Sequence, residues 1–476
     1  MTETKFSEDD RELVALGYVP SFKREFSNLA TISFAFSIMG LCSSIATTFD
    51  TPLLTGGPSS VVWCWILGAC MCLTLGASIA EIVSAYPTSG GLYTASAQLT
   101  PKKYRARDGN FEVTQAKTVW LFVILLVVHG SLNCLGTRWL ARMSSGYVFV
   151  NLGATILIVI VLLATTPRSE MHAANYVFGA QGFNNQTGGW NNGLAFVFGL
   201  LSVQWTDYDA TAHICEEVKR AAYAVIGTGL LGWLLNIVLV LCSGPLRLTF
   251  DIQIMYLRMG KAGALVLWVP VCFTAFFVVQ TALQAVSRTF YAFSRDHGFP
   301  DRGYFGYNSK LTQTPLRAIV LCTVLSIIPG LLDLASPIAA NAIFALCAIS
   351  LDLSYIIPIF LRRVFQNHPE VMFKPGPFYM GDGIIGLGAN CICISWTLFV
   401  CVIFSFPTTL PVTPQTMNYA SVNDLRLTVY DYAWYIIDGH RHYHGPQSNI
   451  RKLKEKSELE KEDDERTSDD PQDTEV

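Results

Sequence analysis

Ser37-Ile38-Met39-Gly40-Leu41-Cys42-Ser43-Ser44 stands midway along an apolar run over 29–49 and fills its middle with small and hydroxyl-bearing residues. A second stretch, Gln204-Trp205-Thr206-Asp207-Tyr208-Asp209, lies past the middle of the apolar run 192–215 and continues into Ala-Thr-Ala-His-Ile-Cys-Glu216-Glu217. In hydrocarbon every backbone polar group needs a partner, so a helix can unwind, and a carboxylate can sit at depth, only against protein or a watery cavity. The first stretch predicts a helix that opens around Gly40, or else a small-residue packing face. The second predicts a carboxylate site at membrane depth, or else an interfacial cap beginning at Asp207. Two interrupted spans, one near the start of each half of the chain, point to inverted repeats with a binding site at the midplane.

The rest of the chain agrees with a membrane solvent. Of 476 residues 51% are apolar and 14% charged, with a mean hydropathy of +0.38, whereas soluble domains carry about 25% charged residues. Apolar runs long enough to cross a bilayer fall at 29–49, 61–84, 118–136, 146–165, 192–215, 223–243, 262–286, 315–332, 337–361 and 383–406, with a weak further one at 418–437. No cleavable leader pattern opens the chain, so the first span is expected to serve as its own insertion signal. The 13 cysteines fall mainly inside apolar runs, as at Cys64, Cys70, Cys72 and Cys391, and read as packing residues. The net charge of −3 hides a polar, mostly acidic run from Lys454 to Val476, expected to be a disordered cytosolic tail.

Lys and Arg in short loops prefer the cytoplasmic side. Lys23 and Arg24 place the N-terminus inside; 50–60 carries no basic residue and 85–117 carries several, so the first two spans go out and return. Arg138 and Arg142 also vote inside, yet a single crossing from an inside loop ends outside. Either those arginines tolerate the outside, or the parity is repaired by one missing crossing between Tyr104 and Lys117. With it, 166–191 lies outside, and 216–222, 287–314 and 362–382 inside, against the dissent of Arg168, Arg247, Arg258 and Lys261. The sequon Asn185-Gln186-Thr187 then faces out, where N-glycosylation is open to it. Of the remaining polar residues, His129 reads as a helical histidine bonded to a carbonyl, with a transport role as the alternative, Asp352 and Tyr355 as interhelical contacts, and Glu81 as interfacial.

Glu81 with Pro87-Thr88-Ser89-Gly90-Gly91-Leu92-Tyr93 resembles the signature loop of amino acid permeases. Trp205 through Glu216-Glu217-Val-Lys, Ser287 through Pro300, and Phe373-Lys-Pro-Gly-Pro-Phe378 resemble the fungal amino acid, γ-aminobutyrate and choline permeases of the amino acid–polyamine–organocation superfamily. The resemblance covers nearly the whole chain between its tails. It implies an all-α polytopic fold of five plus five inverted-repeat helices followed by C-terminal helices, with substrate held between the two interrupted helices. Carried over by position, Ser37, Gly40, Ser43 and Ser44 line the first break, Thr206, Asp207 and Tyr208 the second, and Glu216 and Glu217 gate the inner end; the residues themselves offer Trp205 or Tyr208 to cover a cationic head and Asp207 or Asp209 to carry the coupling charge. The chain departs from the pattern: besides a short link at Ala221–Val225 and a second break shorter by a residue or two, two larger differences stand out. The family's long third helix, part of the scaffold round the site, is missing, and the last helix is degraded by Asp424, Arg426 and Asp431.

The resulting expectation is a cytosolic tail over 1–28, a transporter domain over 29–437 and a polar tail over 438–476. The function expected is proton-coupled alternating-access transport of an amino acid or related amine, without a cofactor, metal or nucleic-acid partner, in the plasma or the vacuolar membrane. A nutrient sensor on the same fold, or an inactive truncated permease, is the alternative. A membrane-embedded enzyme is disfavoured, because no nucleophile–base pair, metal-ligand set or phosphate loop is present.

Overall fold

The computed structural model describes residues 26–40, 50–85, 116–167, 174–203, 210–214, 221–243, 252–299, 303–332, 337–366 and 378–407, with several single residues and short pieces between 301 and 417. The described residues form helices and loops, with no strand among them. The helices are α1 (Asn28–Met39), α2 (Asp50–Ala85), α3 (Ala116–Asn133), α4 (Thr137–Thr165), α5 (Ala174–Phe178), α6 (Asn192–Gly199), α7 (Ala210–His213), α8 (Ala221–Ser243), α9 (Ile252–Arg295), α10 (Leu316–Leu332), α11 (Pro337–Val364) and α12 (Ile384–Phe404). Short 3-10 turns follow α5 at Ala180–Gly182 and α6 at Leu200–Val203.

Four segments are long and apolar enough to cross a membrane: Thr51–Ile82, Thr137–Thr165, Met259–Arg295 and Ile384–Phe404. Shorter apolar helices accompany them at Asn28–Met39, Val123–Asn133, Ala222–Leu235 and Leu316–Ile328. Large apolar side chains such as Ile124, Phe149, Ile160, Val266 and Val402 stand exposed on helix flanks. Water would penalise such a surface and lipid does not. The chain is therefore a polytopic, all-helical membrane protein.

Three expected boundaries move. Helix α2 starts at Asp50 rather than 61 because a short first segment runs up to Gly57, where φ is 67°, and Pro58 then opens the long segment. Proline suits a first helical turn, where an N–H has no partner anyway. Helix α4 starts at Thr137 rather than 146, so Arg138 and Arg142 belong to its first turns and the Arg142 guanidinium lies 4.9 Å over the Trp139 ring. Helix α9 is longer than 262–286 at both ends and takes in Arg258 and Lys261, beside a break at Gly260 with φ 70°. The candidate span 418–437 lies outside the described residues.

Helix α1 packs against α4, α8, α9 and α7, and α2 against α8, α6 and α12. One contact fixes α1 on α4. The Ser33 hydroxyl accepts from the Val148 N–H at 3.0 Å and donates to the Ser144 carbonyl, inserting itself into the i to i−4 ladder of α4.

Loop contacts agree with the sides assigned from charge. Gln186 N–H donates to the Leu54 carbonyl at 2.9 Å, and Leu410 N–H to the Thr187 carbonyl at 2.9 Å. The connections near 54, 166–191 and 410 therefore share one face. Thr137 Oγ1 donates to the Gln313 carbonyl at 3.2 Å, so the α3–α4 connection sits beside the α9–α10 connection. That is the side on which Arg138 and Arg142 voted.

Cys64, Cys72, Cys322 and Cys393 are buried in packing, as expected, whereas Cys70 and Cys391 are exposed on outer helix faces. Among the described residues all cysteines are free thiols.

Candidate functional site

Helix α1 ends where the sequence places its break. Ser27 caps its start, accepting from Ala30 N–H at 3.3 Å. Its end is Gly40, in the left-handed region at φ 49° and ψ 58°, with the N–H donating to the Ser37 carbonyl at 3.1 Å. A β-branched residue is rarely tolerated there. Ser37 is fully buried, one turn before the break, and its hydroxyl has no hydrogen-bond partner. Buried polar groups are nearly always bonded, so this hydroxyl is an exception at the end of the helix. The other residues assigned to the site, Ser43, Ser44, Trp205, Thr206, Asp207, Tyr208, Asp209, Glu216 and Glu217, lie outside the described residues.

The flanks of the second stretch are described. Asn191 caps α6, accepting from Leu194 N–H at 2.8 Å, and after Gly199 the helix tightens to a 3-10 turn over Leu200–Val203. Beyond 204–209, α7 packs against α1, α8 and α9. His213 on α7 lies 2.9 Å, Nδ1 to Oγ1, from Thr289 on α9.

The second pair of sequence motifs docks on itself in a way the sequence does not disclose. Glu81, expected at the interface, is 1% exposed and forms an ion pair at 2.8 Å with Arg362 of α11, itself 2% exposed. Arg362 also pairs with Asp382 at 3.0 Å and reaches Asn390 at 3.4 Å. Arg363 donates to Asn390 at 2.6 Å and pairs with Asp382 at 3.1 Å, while Asn390 donates to Ser78 at 2.8 Å. The Arg362 guanidinium lies 4.5 Å over the Phe373 ring. The Phe378 N–H donates to Ser84 Oγ at 2.8 Å. A Cβ at Gly376 would stand 2.0 Å from the Ser84 carbonyl, so the Phe373–Phe378 motif needs glycine to lie on the end of α2. Outside the spans, Tyr379 donates to Asp382, and that bond to a carboxylate holds its phenol above the ordinary range.

A cavity of about 730 Å³ opens between α3 and α9, lined by Leu126, His129, Cys272, Phe273, Phe276 and Val279 among others. It has the size of a ligand pocket, but its lining is almost wholly apolar. An amino acid would leave its ammonium and carboxylate unpaired there, at a cost of several kcal/mol. Asp352 and Tyr355 are fully buried in α11. Asn185 donates through Nδ2 to the Trp190 carbonyl at 2.8 Å and to Asn192 Oδ1 at 3.1 Å. A glycan on Nδ2 leaves one N–H and cannot keep both bonds. Among the described residues no cluster of His, Cys, Asp or Glu is arranged to hold a metal ion.

An apolar helical body, a first helix that ends at Gly40 and buried charges paired between helices are those of a polytopic membrane protein. Residues 26–106 and 104–425 match the amino acid permease family, and the chain belongs to it. It is 36% identical over 507 residues to an uncharacterized amino-acid permease of Schizosaccharomyces pombe, covering 94% of this chain and 92% of that protein. It is 34% identical over 490 residues to amino-acid permease 2 of Neurospora crassa, covering 92% and 89%. It is 31% identical over 500 residues to the GABA-specific permease of Saccharomyces cerevisiae, covering 93% and 86%. These relatives are permeases, not enzymes, and amino acid transport is the activity that membership supports.

Proposed function

We propose that this protein carries an amino acid or a related amine, γ-aminobutyrate and choline included, across the plasma or vacuolar membrane by proton-coupled alternating access. The observation that carries the reading is the opened end of α1, with the Gly40 backbone in the left-handed region and the Ser37 hydroxyl buried beside it without a partner. Freed N–H groups at a half-helix end attract a substrate carboxylate, and freed carbonyls or a side-chain carboxylate attract an ammonium. In this reading Ser37, Gly40, Ser43 and Ser44 line one side of the site and Trp205, Thr206, Asp207 and Tyr208 the other. Trp205 or Tyr208 covers a cationic head. Asp207 or Asp209 carries coupling charge, and Glu216 and Glu217 gate the inner end.

The transporter domain spans 29–437 between two cytosolic tails, as five plus five inverted-repeat helices with C-terminal helices after them. A missing third family helix is supported by the family match, which falls in two pieces meeting at 104–106. The alignment to the S. pombe relative, at 507 residues, is also longer than the 476 of this chain.

The test is uptake of labelled amino acids, γ-aminobutyrate and choline by permease-deficient cells expressing the whole chain, with surface expression measured in parallel. The account expects saturable uptake that collapses with a protonophore and with Asp207→Asn. Surface-expressed protein that binds but never accumulates substrate identifies a sensor instead.

A further inference from the structure

His129 lies one turn before the end of α3, 2% exposed. Its Nδ1 is 2.6 Å from the carbonyl oxygen of Leu125 on its own helix, and its Nε2 is 3.1 Å from the carbonyl oxygen of Phe276 on α9. Both partners can only accept. A neutral imidazole has one N–H and one lone pair, so it bonds one carbonyl and turns its lone pair on the other; the imidazolium donates to both. The Phe276 ring lies 4.2 Å from the imidazole, centroid to centroid, tilted by 36°, and an aromatic face attracts a cation. The sequence reading of a histidine bonded to a carbonyl is right, but it misses the second carbonyl and the ring.

A line of buried amides leads away from this histidine. Asn133 Nδ2, one turn further along α3, donates to the carbonyls of His129 at 3.0 Å and Gln280 at 3.2 Å. Asn133 Oδ1, both polar side-chain atoms of Gln280, and Nε2 of Gln284 are buried without a hydrogen-bond partner. Such groups are costly in a dry interior and are what buried water satisfies. Gln280, Gln284 and Arg288 follow Phe276 at one, two and three turns, a file of about 18 Å at the helical rise. It ends near Ser287, whose hydroxyl accepts from Arg288 Nη1 at 3.1 Å.

The elements packed on α3 are α9 and α10. From α9 the titratable and charged groups facing this region are Cys272, in the same cavity, and Arg288, three turns away. From α10 they are Cys322 and, at its start, Arg317, which is held over the Tyr304 ring at 4.3 Å. Cys134 follows the end of α3. Neither α3, α9 nor α10 contains an Asp or Glu. Among the described residues of these helices the imidazolium is thus met by carbonyl dipoles and a ring, not by a carboxylate that would fix its charge.

We propose that His129 is a proton-binding site of the transport cycle, served through the amides of Asn133, Gln280 and Gln284 from the face on which α9 ends. The proposal rests on the reading of this chain as a proton-coupled transporter. His129 takes a proton from water on the amide file and becomes imidazolium, donating to Leu125 and to Phe276 together. On release the proton returns to water, the ring keeps its shorter Nδ1 bond to Leu125, and its bond to the Phe276 carbonyl is lost, leaving the Asn133–Gln280 bond between α3 and α9. The proton is thereby converted into a contact between two helices.

The variant His129→Gln tests this, because its amide still donates to the Phe276 carbonyl but does not titrate. Wild-type uptake is expected to show one titration step in its pH profile. In His129→Gln that step is expected to vanish, with protonophore sensitivity reduced at least severalfold, while substrate exchange at equal concentrations continues. A variant with the wild-type pH profile and protonophore sensitivity overturns the proposal. An independent readout is the ¹⁵N spectrum of histidine rings in the full chain in lipid nanodiscs, with His129→Gln assigning the signal. A ring that gains its second N–H as the pH falls through the uptake step supports the site; a ring fixed in either form throughout overturns it. If the wild-type chain moves no labelled substrate, the transport reading fails by itself, and the ring spectrum still decides whether His129 binds a proton.

Discussion

Replacing Arg362 by methionine removes one half of an ion pair from which water is excluded on both sides. Glu81 and Arg362 are 1% and 2% exposed and 2.8 Å apart. After Arg362→Met the Glu81 carboxylate keeps the Met380 N–H, at 3.3 Å, as its bonded partner. Breaking a buried pair in this way costs about 3–5 kcal/mol, because the remaining charge is left desolvated. The pair with Asp382 adds little to that figure, since Asp382 is 45% exposed and exposed pairs are worth at most about 1 kcal/mol. Removing both charges is a different matter: Glu81→Leu with Arg362→Met leaves no buried ion, and such replacements are often neutral or stabilising. The double variant is therefore expected to recover most of the about 3–5 kcal/mol that the single variant loses. The assay is a double-mutant cycle read by heat-induced loss of the monodisperse protein in detergent. Arg362→Met as heat-stable as wild type, or a double variant as unstable as the two single losses added together, refutes the reasoning.

Gly40→Val places a β-branched residue at a φ of 49°, a strain of about 1–3 kcal/mol. Uptake is expected to fall at least tenfold at equal surface expression, and unchanged uptake counts against an opened end at Gly40. Ser37→Ala removes a hydroxyl that has no partner, so thermal stability should stay within about 0.5 kcal/mol of wild type while the KM for uptake rises. A large stability loss with KM unchanged shows a structural hydroxyl instead. Tyr379 has a phenol held above its ordinary value by its bond to Asp382. Its contribution is complete below the ordinary phenol pKa of about 10 and is lost as pH rises through the raised value. A difference titration by ultraviolet absorbance against Tyr379→Phe should remove a late-ionising phenol; removal of an early one contradicts the geometry.

What could be read from sequence was local. A small-residue stretch inside an apolar run located the end of α1 at Gly40, because hydrocarbon forbids an unsatisfied backbone and so makes breaks conspicuous. Basic residues sorted the connections, and the bond from Thr137 to Gln313 agrees with that sorting. Boundaries slipped where chemistry at helix ends imitates a loop. Gly57-Pro58 falls in the expected 50–60 connection but is a kink within α2, and Arg138 and Arg142 read as loop charges but lie on the first turns of α4. The ion pair was hidden because its partners are 281 positions apart and each alone resembles an interfacial charge. His129 was half legible: the carbonyl four residues back is implied by any helix, while that of Phe276 depends on how α9 packs. The binding residues beyond Gly40 rest on the resemblance and on position.

The most direct measurement is counterflow in proteoliposomes holding the purified full-length chain. Vesicles loaded with an unlabelled amino acid should accumulate the same labelled amino acid transiently above its equilibrium level, and Gly40→Val should abolish the overshoot. Correctly folded, reconstituted protein that gives no overshoot with any amino acid or γ-aminobutyrate would contradict the central claim that this chain is an amino acid carrier.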